Sequence, residues 1–213
     1  MLQVILVRHG ETDWNKEHRV QGGKTDTQLN DTGRKQAEAV ALRLKPETFR
    51  AIYSSPLQRA RDTAQAIARY HQLEVEIAPE LRELDVGDLE GVQVGSIGKL
   101  LDKLLVSRGQ DGSMVKAGEG LFSEIEQFGG ESLTELQQRA WSTLQKIAGQ
   151  HSDGTIAVVS HYFIILAIIL NVIGLPMSRI GSFRLGVGSV SSVILDGAAT
   201  RLTLFSDICH QTA

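Results

Sequence analysis

The sequence predicts a three-layer α/β/α fold around a mostly parallel, doubly wound sheet with an antiparallel edge. Three observations predict it: short β-branched runs, amphipathic helical stretches between them, and two late strand-like runs joined by a glycine-containing turn. Gln3 to Val7 is the first such run, and it ends in a polar turn, as a strand buried on both faces should. Ala51 to Tyr53 and Thr155 to Val159 repeat the pattern, and Glu74 to Ile77 reads as a further strand. Helices are expected over Asp31 to Leu44, with Asp31 or Thr32 as N-cap, over Pro56 to Tyr70, and over Ser132 to Ala148, where Ser-x-x-Glu makes a capping box. Tyr162 to Leu175 is the most apolar stretch. It is interrupted by Asn171 and Gly174 and is shorter than the roughly 18 apolar residues of a membrane span, so a buried core helix is expected. Val190 to Leu195 and Arg201 to Phe205 form the terminal hairpin that supplies the antiparallel edge.

A chain of 213 residues with 42% hydrophobic and 22% charged residues fits one globular domain over 1–213. Gly91 to Gly130 is glycine-rich and weakly periodic. It is expected to be a lid-like insertion at about 91–130, with one helix from about Ile97 to Leu105 and a loose stretch to Phe128. The net charge of −3 argues against a nucleic-acid partner, which would demand a basic face. An anion site must then be a local concentration of Arg and Lys. The single cysteine, Cys209, allows no internal disulfide, and the first residues lack the features of a signal peptide; a cytoplasmic protein without a membrane partner is expected.

Three of the expected strands end in chemically loaded turns. Gln3 to Val7 runs into Arg8-His9-Gly10-Glu11-Thr12, Ala51 to Tyr53 into Ser54-Ser55-Pro56-Leu57-Gln58-Arg59-Ala60-Arg61, and Thr155 to Val159 into Ser160-His161. In open α/β sheets ligands bind beyond the carboxyl ends of the strands, so parallel strands would bring these turns to one crevice. A lone histidine after a strand is more often a capping or surface residue. Two histidines and two or more arginines from separate strand ends instead describe a phosphate site that carries a nucleophile.

Leu6-Val7-Arg8-His9-Gly10-Glu11-Thr12-Asp13-Trp14-Asn15 resembles the signature of the histidine phosphatase superfamily, which contains the cofactor-dependent phosphoglycerate mutases. The resemblance continues through Gln21-Gly22, Asp26 to Gly33, Ser54 to Ala60, Glu83 with Gly87 and Glu90-Gly91, Gly129-Gly130-Glu131-Ser132 and Ser160-His161. It covers nearly the whole chain, with Gly91 to Phe128 as the main gap. It implies a phosphoglycerate-mutase-like fold and a phosphohistidine on His9. It also assigns Arg8 and Arg59 as bidentate phosphoryl donors, His161 as a further donor, and Glu83 as the acid that protonates the leaving alcohol and then activates water. Asp85 is the alternative to Glu83. The chemistry requires a neutral His9 whose second ring nitrogen donates to a backbone carbonyl, with Arg8 and Arg59 lowering its pKa. Thr12, Asn15, Gln21 and Gly22 are expected at the entrance, with Lys24 as an extra cation nearby. Tyr162 stands where the family has glycine after the second histidine and puts a ring at the pocket edge. No cofactor and no metal are implied: family side chains replace metal ions, and the chain has no His-Glu-x-x-His or Cys-x-x-Cys.

Mutases of this family typically carry a tyrosine three residues after the acid and a paired arginine in the insertion. Here Val86 holds the first position and Gly91 to Gly130 contains no Arg-Arg. The expected reaction is therefore hydrolysis of a small phosphorylated metabolite of the α-ribazole phosphate, phosphoserine or sugar phosphate type. A phosphoglycerate mutase is the alternative, and a non-catalytic phosphate-binding domain a third reading; a homodimer is left open. Gly98-Lys99 lacks the rest of a P-loop, and there is no Gly-x-Ser-x-Gly. His18, His71 and His151 read as surface residues, and Cys209, beside His210, as a small buried thiol.

Overall fold

The computed structural model describes residues 1–100, 125–197 and 199–211. Six strands form one sheet: β1 (Leu2–Arg8), β2 (Phe49–Ser54), β3 (Val75–Ile77), β4 (Gly154–Ser160), β5 (Val190–Asp196) and β6 (Ala199–Asp207). Their order is β3-β2-β4-β1-β5-β6. The pairs β1·β4, β2·β4 and β2·β3 are parallel, whereas β5 runs antiparallel to both β1 and β6. The sheet is thus doubly wound with an antiparallel edge, as the sequence predicts. Both outer strands are defended: β3 has only three residues, and β6 alternates exposed and half-buried positions over its first five residues.

Successive residues of β1 face opposite layers, which is why the run is apolar throughout. Val4 and Leu6 pack with α4 (Leu133–Ala148) and α5 (Tyr162–Val172), while Ile5 and Val7 pack with α2 (Asp31–Leu44) and α3 (Gln58–Ala68). A single turn, α1 (Asp13–Lys16), precedes α2. The α4 capping box is present, with Ser132 accepting from the Glu135 amide and Glu135 answering to Ser132. The α2 cap differs from the expectation. Asn30, not Asp31 or Thr32, has the extended backbone and accepts from the Gly33 amide at 2.8 Å, so Asp31 is already the first helical residue. Helix α5 is buried along nearly its whole length, and no helix of the described residues is long and apolar enough to cross a membrane.

Of the expected insertion, residues 97–100 begin a helix and Ile125–Phe128 form a short 3-10 turn. The remainder of the expected helix to Leu105, and the stretch 101–124, lie outside the described residues. Three readings of single residues are corrected: two histidines expected at the surface are packed, and the cysteine expected to be buried is not. His71 meets Phe49 edge-on with ring centroids 4.8 Å apart, and His151 shares a 2.9 Å hydrogen bond with the Tyr53 hydroxyl, so both are half-buried. Cys209, in contrast, is exposed. Its neighbour His210 is the anchored one, between Arg43 at 3.0 Å and the Gly188 carbonyl at 3.0 Å, which turns the thiol outward.

Candidate active site

The parallel register carries past the ends of the strands. His9 donates its amide to the Ser160 carbonyl at 3.0 Å, and Ser55 donates to Val159 at 3.0 Å. His9, Ser55 and His161 are therefore side by side at the carboxyl ends of β1, β2 and β4. The opposite side of β1 is closed by the loop entering β5: Arg8 donates to Ser189 at 3.0 Å, and Gly188 donates to the His9 carbonyl at 2.9 Å.

His9 is buried, and its Nδ1 lies 2.7 Å from the Gly10 carbonyl. Only a protonated Nδ1 can make that bond, so Nε2 keeps the lone pair. Burial, then the charges of Arg59 and Arg8, hold the His9 pKa well below its usual 6.5. The ring of His161 is 5.1 Å away, centroid to centroid, and its pKa is also driven well down by burial and by Arg59. His161 Nε2 lies 2.7 Å from Ser55 Oγ.

Arg59 is 0% exposed, on the first turn of α3. Its two terminal nitrogens donate to the carbonyls of Thr25 at 3.1 Å and Gly22 at 3.0 Å. Much of the fork expected to grip phosphate thus braces the 22–25 loop. Arg8 donates to the Leu185 carbonyl, and its guanidinium lies 5.1 Å from the Tyr162 ring centroid, a cation–π distance. Desolvation lowers both arginine pKa values to about 10, which leaves both charged at neutral pH. Three buried nitrogens of this cluster, Arg8 Nε, Arg59 Nε and His161 Nδ1, have no hydrogen-bond partner among the described residues.

Glu83 follows the turn Pro79–Leu81 and is buried, 4% exposed. It accepts from the Leu84 amide at 2.9 Å and from Phe163, in the first turn of α5, at 3.2 Å. Burial raises its pKa, opposed by those amides and by the two arginines. Arg139, paired with Glu131 at 2.7 Å, holds the Arg82 carbonyl at 2.8 Å and so fixes the approach to Glu83. Asp85 instead caps the Gly87 amide at 2.9 Å and pairs with Lys24 at 3.1 Å. That accounts for both of these charges outside the cluster.

A cavity of about 370 Å³ is lined by Arg8, His9, Asn15, Gln21, Glu83 and Tyr162, whereas Arg59 and His161, both fully buried, are not among its lining residues. Thr12 does not line it either. It is buried, caps α1 and holds Asn15 and Gln21 in place through its hydroxyl. Gly22 is also set back, and a Cβ there would stand 2.6 Å from Glu90 Oε2 and 2.8 Å from the Leu84 carbonyl. His18 is exposed, as expected, yet it belongs to the cavity lining. Sequence reasoning overlooked Ser55 as the partner of His161 and the Phe163 amide as a donor to Glu83. Ser55 lies inside a quoted motif, and a helix N-terminus beside an acid was the available signal for the amide.

The profile of the histidine phosphatase superfamily, branch 1, matches residues 4–208. The chain belongs to that superfamily. Among its curated relatives, metal-independent phosphoserine phosphatase of Arabidopsis thaliana is 38% identical, aligned over 98% of this chain and 82% of that one. Phosphoglycerate mutase-like protein 4 of the same plant is also 38% identical, over 75% of this chain and 66% of that one. Phosphoserine phosphatase from Entamoeba histolytica, solved in complex with 3-phosphoglyceric acid, superposes with a TM-score of 0.80 at 30% identity, covering 99% of this chain and all of that one. This histidine phosphatase superfamily member is a phosphatase, a phosphoric monoester hydrolase.

Proposed function

We propose that the protein is a metal-independent phosphatase that hydrolyses small phosphomonoesters through a phosphohistidine on His9. One observation carries the reading. The His9 Nδ1 proton is committed to Gly10, which leaves Nε2 as the nucleophile beside three buried donors without partners. Unpartnered buried donors are rare in folded proteins, and a phosphoryl group would satisfy all three.

In the first step the lone pair of His9 Nε2 forms the N–P bond as the ester P–O bond breaks, and the departing alcohol takes a proton from Glu83. Burial keeps that proton available by raising the Glu83 pKa. In the second step Glu83 takes a proton from water, whose oxygen forms the new P–O bond as N–P breaks. Inorganic phosphate and the starting enzyme result. Arg8 and Arg59 supply the positive charge that stabilises the transferring group. The Ser55 hydroxyl, donating to His161 Nε2, would leave the proton on His161 Nδ1, aimed at a phosphoryl oxygen. Asn15, Gln21 and Tyr162 then contact substrate, while Thr12 and Gly22 act by holding the entrance loop. A cytoplasmic setting and a phosphorylated metabolite as partner complete the reading.

The test is a single-turnover reaction with p-nitrophenyl phosphate in EDTA. An acid-labile, base-stable phosphoenzyme should accumulate, and His9→Ala should form none and lose turnover by about 10⁴-fold or more. Loss of activity in chelator, or turnover by His9→Ala, sinks the mechanism. Efficient interconversion of phosphoglycerates, followed through enolase, would reassign the protein as a mutase.

A further inference from the structure

The cavity over His9 is chemically divided. Its floor carries Arg8, His9 and Glu83, but Val86, Leu89, Val94, Ile97, Ile125 and Phe163 line much of the rest. Val94 is about half exposed and marks the mouth, whereas Val86, Leu89, Ile97 and Ile125 are almost completely buried. The apolar part is therefore a recess in the interior and not a surface patch.

Of the polar side chains that line the entrance, Asn15, Gln21 and Arg19 make contacts within the protein, while His18 and Arg184 line the cavity from exposed positions outside the buried recess. The carbonyl oxygens of Asn15 and Gln21 both accept from the Thr12 hydroxyl, and the Gln21 amide donates to Thr27. Arg19 donates Nε to the Gly91 carbonyl at 2.8 Å, lies over the Trp14 ring and pairs with Glu17 at 3.5 Å. An ammonium, carboxylate or run of sugar hydroxyls pushed into the recess would lose water and meet aliphatic carbon, a cost of a few kcal/mol for each unpaired polar group. An apolar alcohol would instead gain about 0.8 kcal/mol for each buried methylene. The cavity volume of about 370 Å³ holds roughly twelve water-sized groups at about 30 Å³ each. That is space for a phosphoryl group with about eight carbon atoms behind it.

We infer that the recess selects phosphate monoesters of apolar or aromatic alcohols over esters whose alcohol carries charge. The inference rests on the phosphatase reading above and names the substrate class of the same site. Val86 is the position that tests it: it lines the cavity three residues after Glu83, where mutases of this family typically carry a tyrosine.

The test is a ladder of ethyl, butyl, hexyl and octyl phosphate beside O-phosphoserine and 3-phosphoglycerate, with kcat/KM measured by phosphate release. Aliphatic esters keep the leaving alcohols comparable. The expected result is a rise of about two- to fourfold per methylene from ethyl to hexyl, with hexyl phosphate at least tenfold better than O-phosphoserine. Val86→Thr, which keeps the shape but adds a hydroxyl, should lower the hexyl-to-ethyl ratio about threefold or more. A flat or falling ladder, or O-phosphoserine ahead of hexyl phosphate, overturns the inference and leaves the phosphatase reading standing. Absence of phosphate release from every ester, in protein shown to be folded by circular dichroism, overturns both. The unaltered protein decides the question by itself if Val86→Thr fails to fold.

Discussion

The reactive cluster at the floor of the cavity is built on the ends of β1, β2 and β4, where each backbone is pinned by a neighbour on the ladder, with Glu83 added just after the turn Pro79–Leu81. The apolar wall comes from 86–97 and 125–128, which pack closely against one another off the sheet. Gly87 shows how tight that packing is: its φ is +57°, and a Cβ would stand 1.9 Å from the Phe128 carbonyl oxygen. The floor can therefore hold a reactive geometry to within a hydrogen bond, whereas the wall can only shape a volume. Chemistry and specificity are in this way assigned to parts of the chain under different constraints, and they should respond separately to substitution.

The largest effect expected from the floor, after loss of His9, is at Arg59. Arg59→Met should lower kcat/KM by about 10²- to 10³-fold, and by a common factor for every ester. It should also remove a thermal response. Phosphate or vanadate at about 100 times its Kd should stabilise the unaltered protein by about 2.7 kcal/mol, a rise of about 5–10 °C in Tm, and should scarcely move the variant. A rate loss confined to particular esters would place Arg59 in the wall and break the distinction.

Glu83→Gln comes next, at about 10²-fold for alkyl esters and less for aryl esters, whose alcohols leave without a proton. The pH profile sharpens the assignment. The first step needs Glu83 protonated, so kcat/KM falls as pH rises through a pKa that burial has raised above 4.5. It also needs His9 neutral, so kcat/KM falls as pH drops through a pKa held well below 6.5. The result is a bell whose alkaline limb should vanish in Glu83→Gln. An alkaline limb that persists would assign the acid to another residue.

The smallest effect is expected at Tyr162, whose hydroxyl donates to the Phe183 carbonyl at 2.8 Å while its ring covers Arg8. Tyr162→Phe keeps the ring, so kcat/KM should change less than about fivefold, the net value of one ordinary hydrogen bond. A larger loss would mean that the hydroxyl itself touches substrate.

The same division explains what could be read from the sequence. Strand ends carry their reactive groups as contiguous motifs, so Arg8-His9, Ser55 to Arg59 and Ser160-His161 were visible as candidates before any geometry. Contacts that need two distant segments were not. The apolar recess joins Val86 to Ile125, with no motif to mark the pair, and Val86 stood out only by what it replaces. Local competition obscured other details. Asn30, Asp31 and Thr32 are all good capping residues, and the choice falls to Asn30, whose amide is also held by Glu11 at 2.9 Å. For Cys209 the general tendency of thiols toward burial lost to the anchoring of its neighbour His210.

The loop entering β5 has a consequence for how the molecule is made. Leu185, Gly188 and Ser189 supply the contacts that seat Arg8 and His9, and they are translated well after all of the other groups of the floor. At about 5–20 residues per second, a nascent chain spends roughly a second or more with both histidines synthesised and this loop still to come. Through that interval Arg8 and His9 lack the contacts that close the β5 side of their seat. A released chain ending before residue 183 should therefore carry Arg8, His9, Arg59, Glu83 and His161 and release no phosphate.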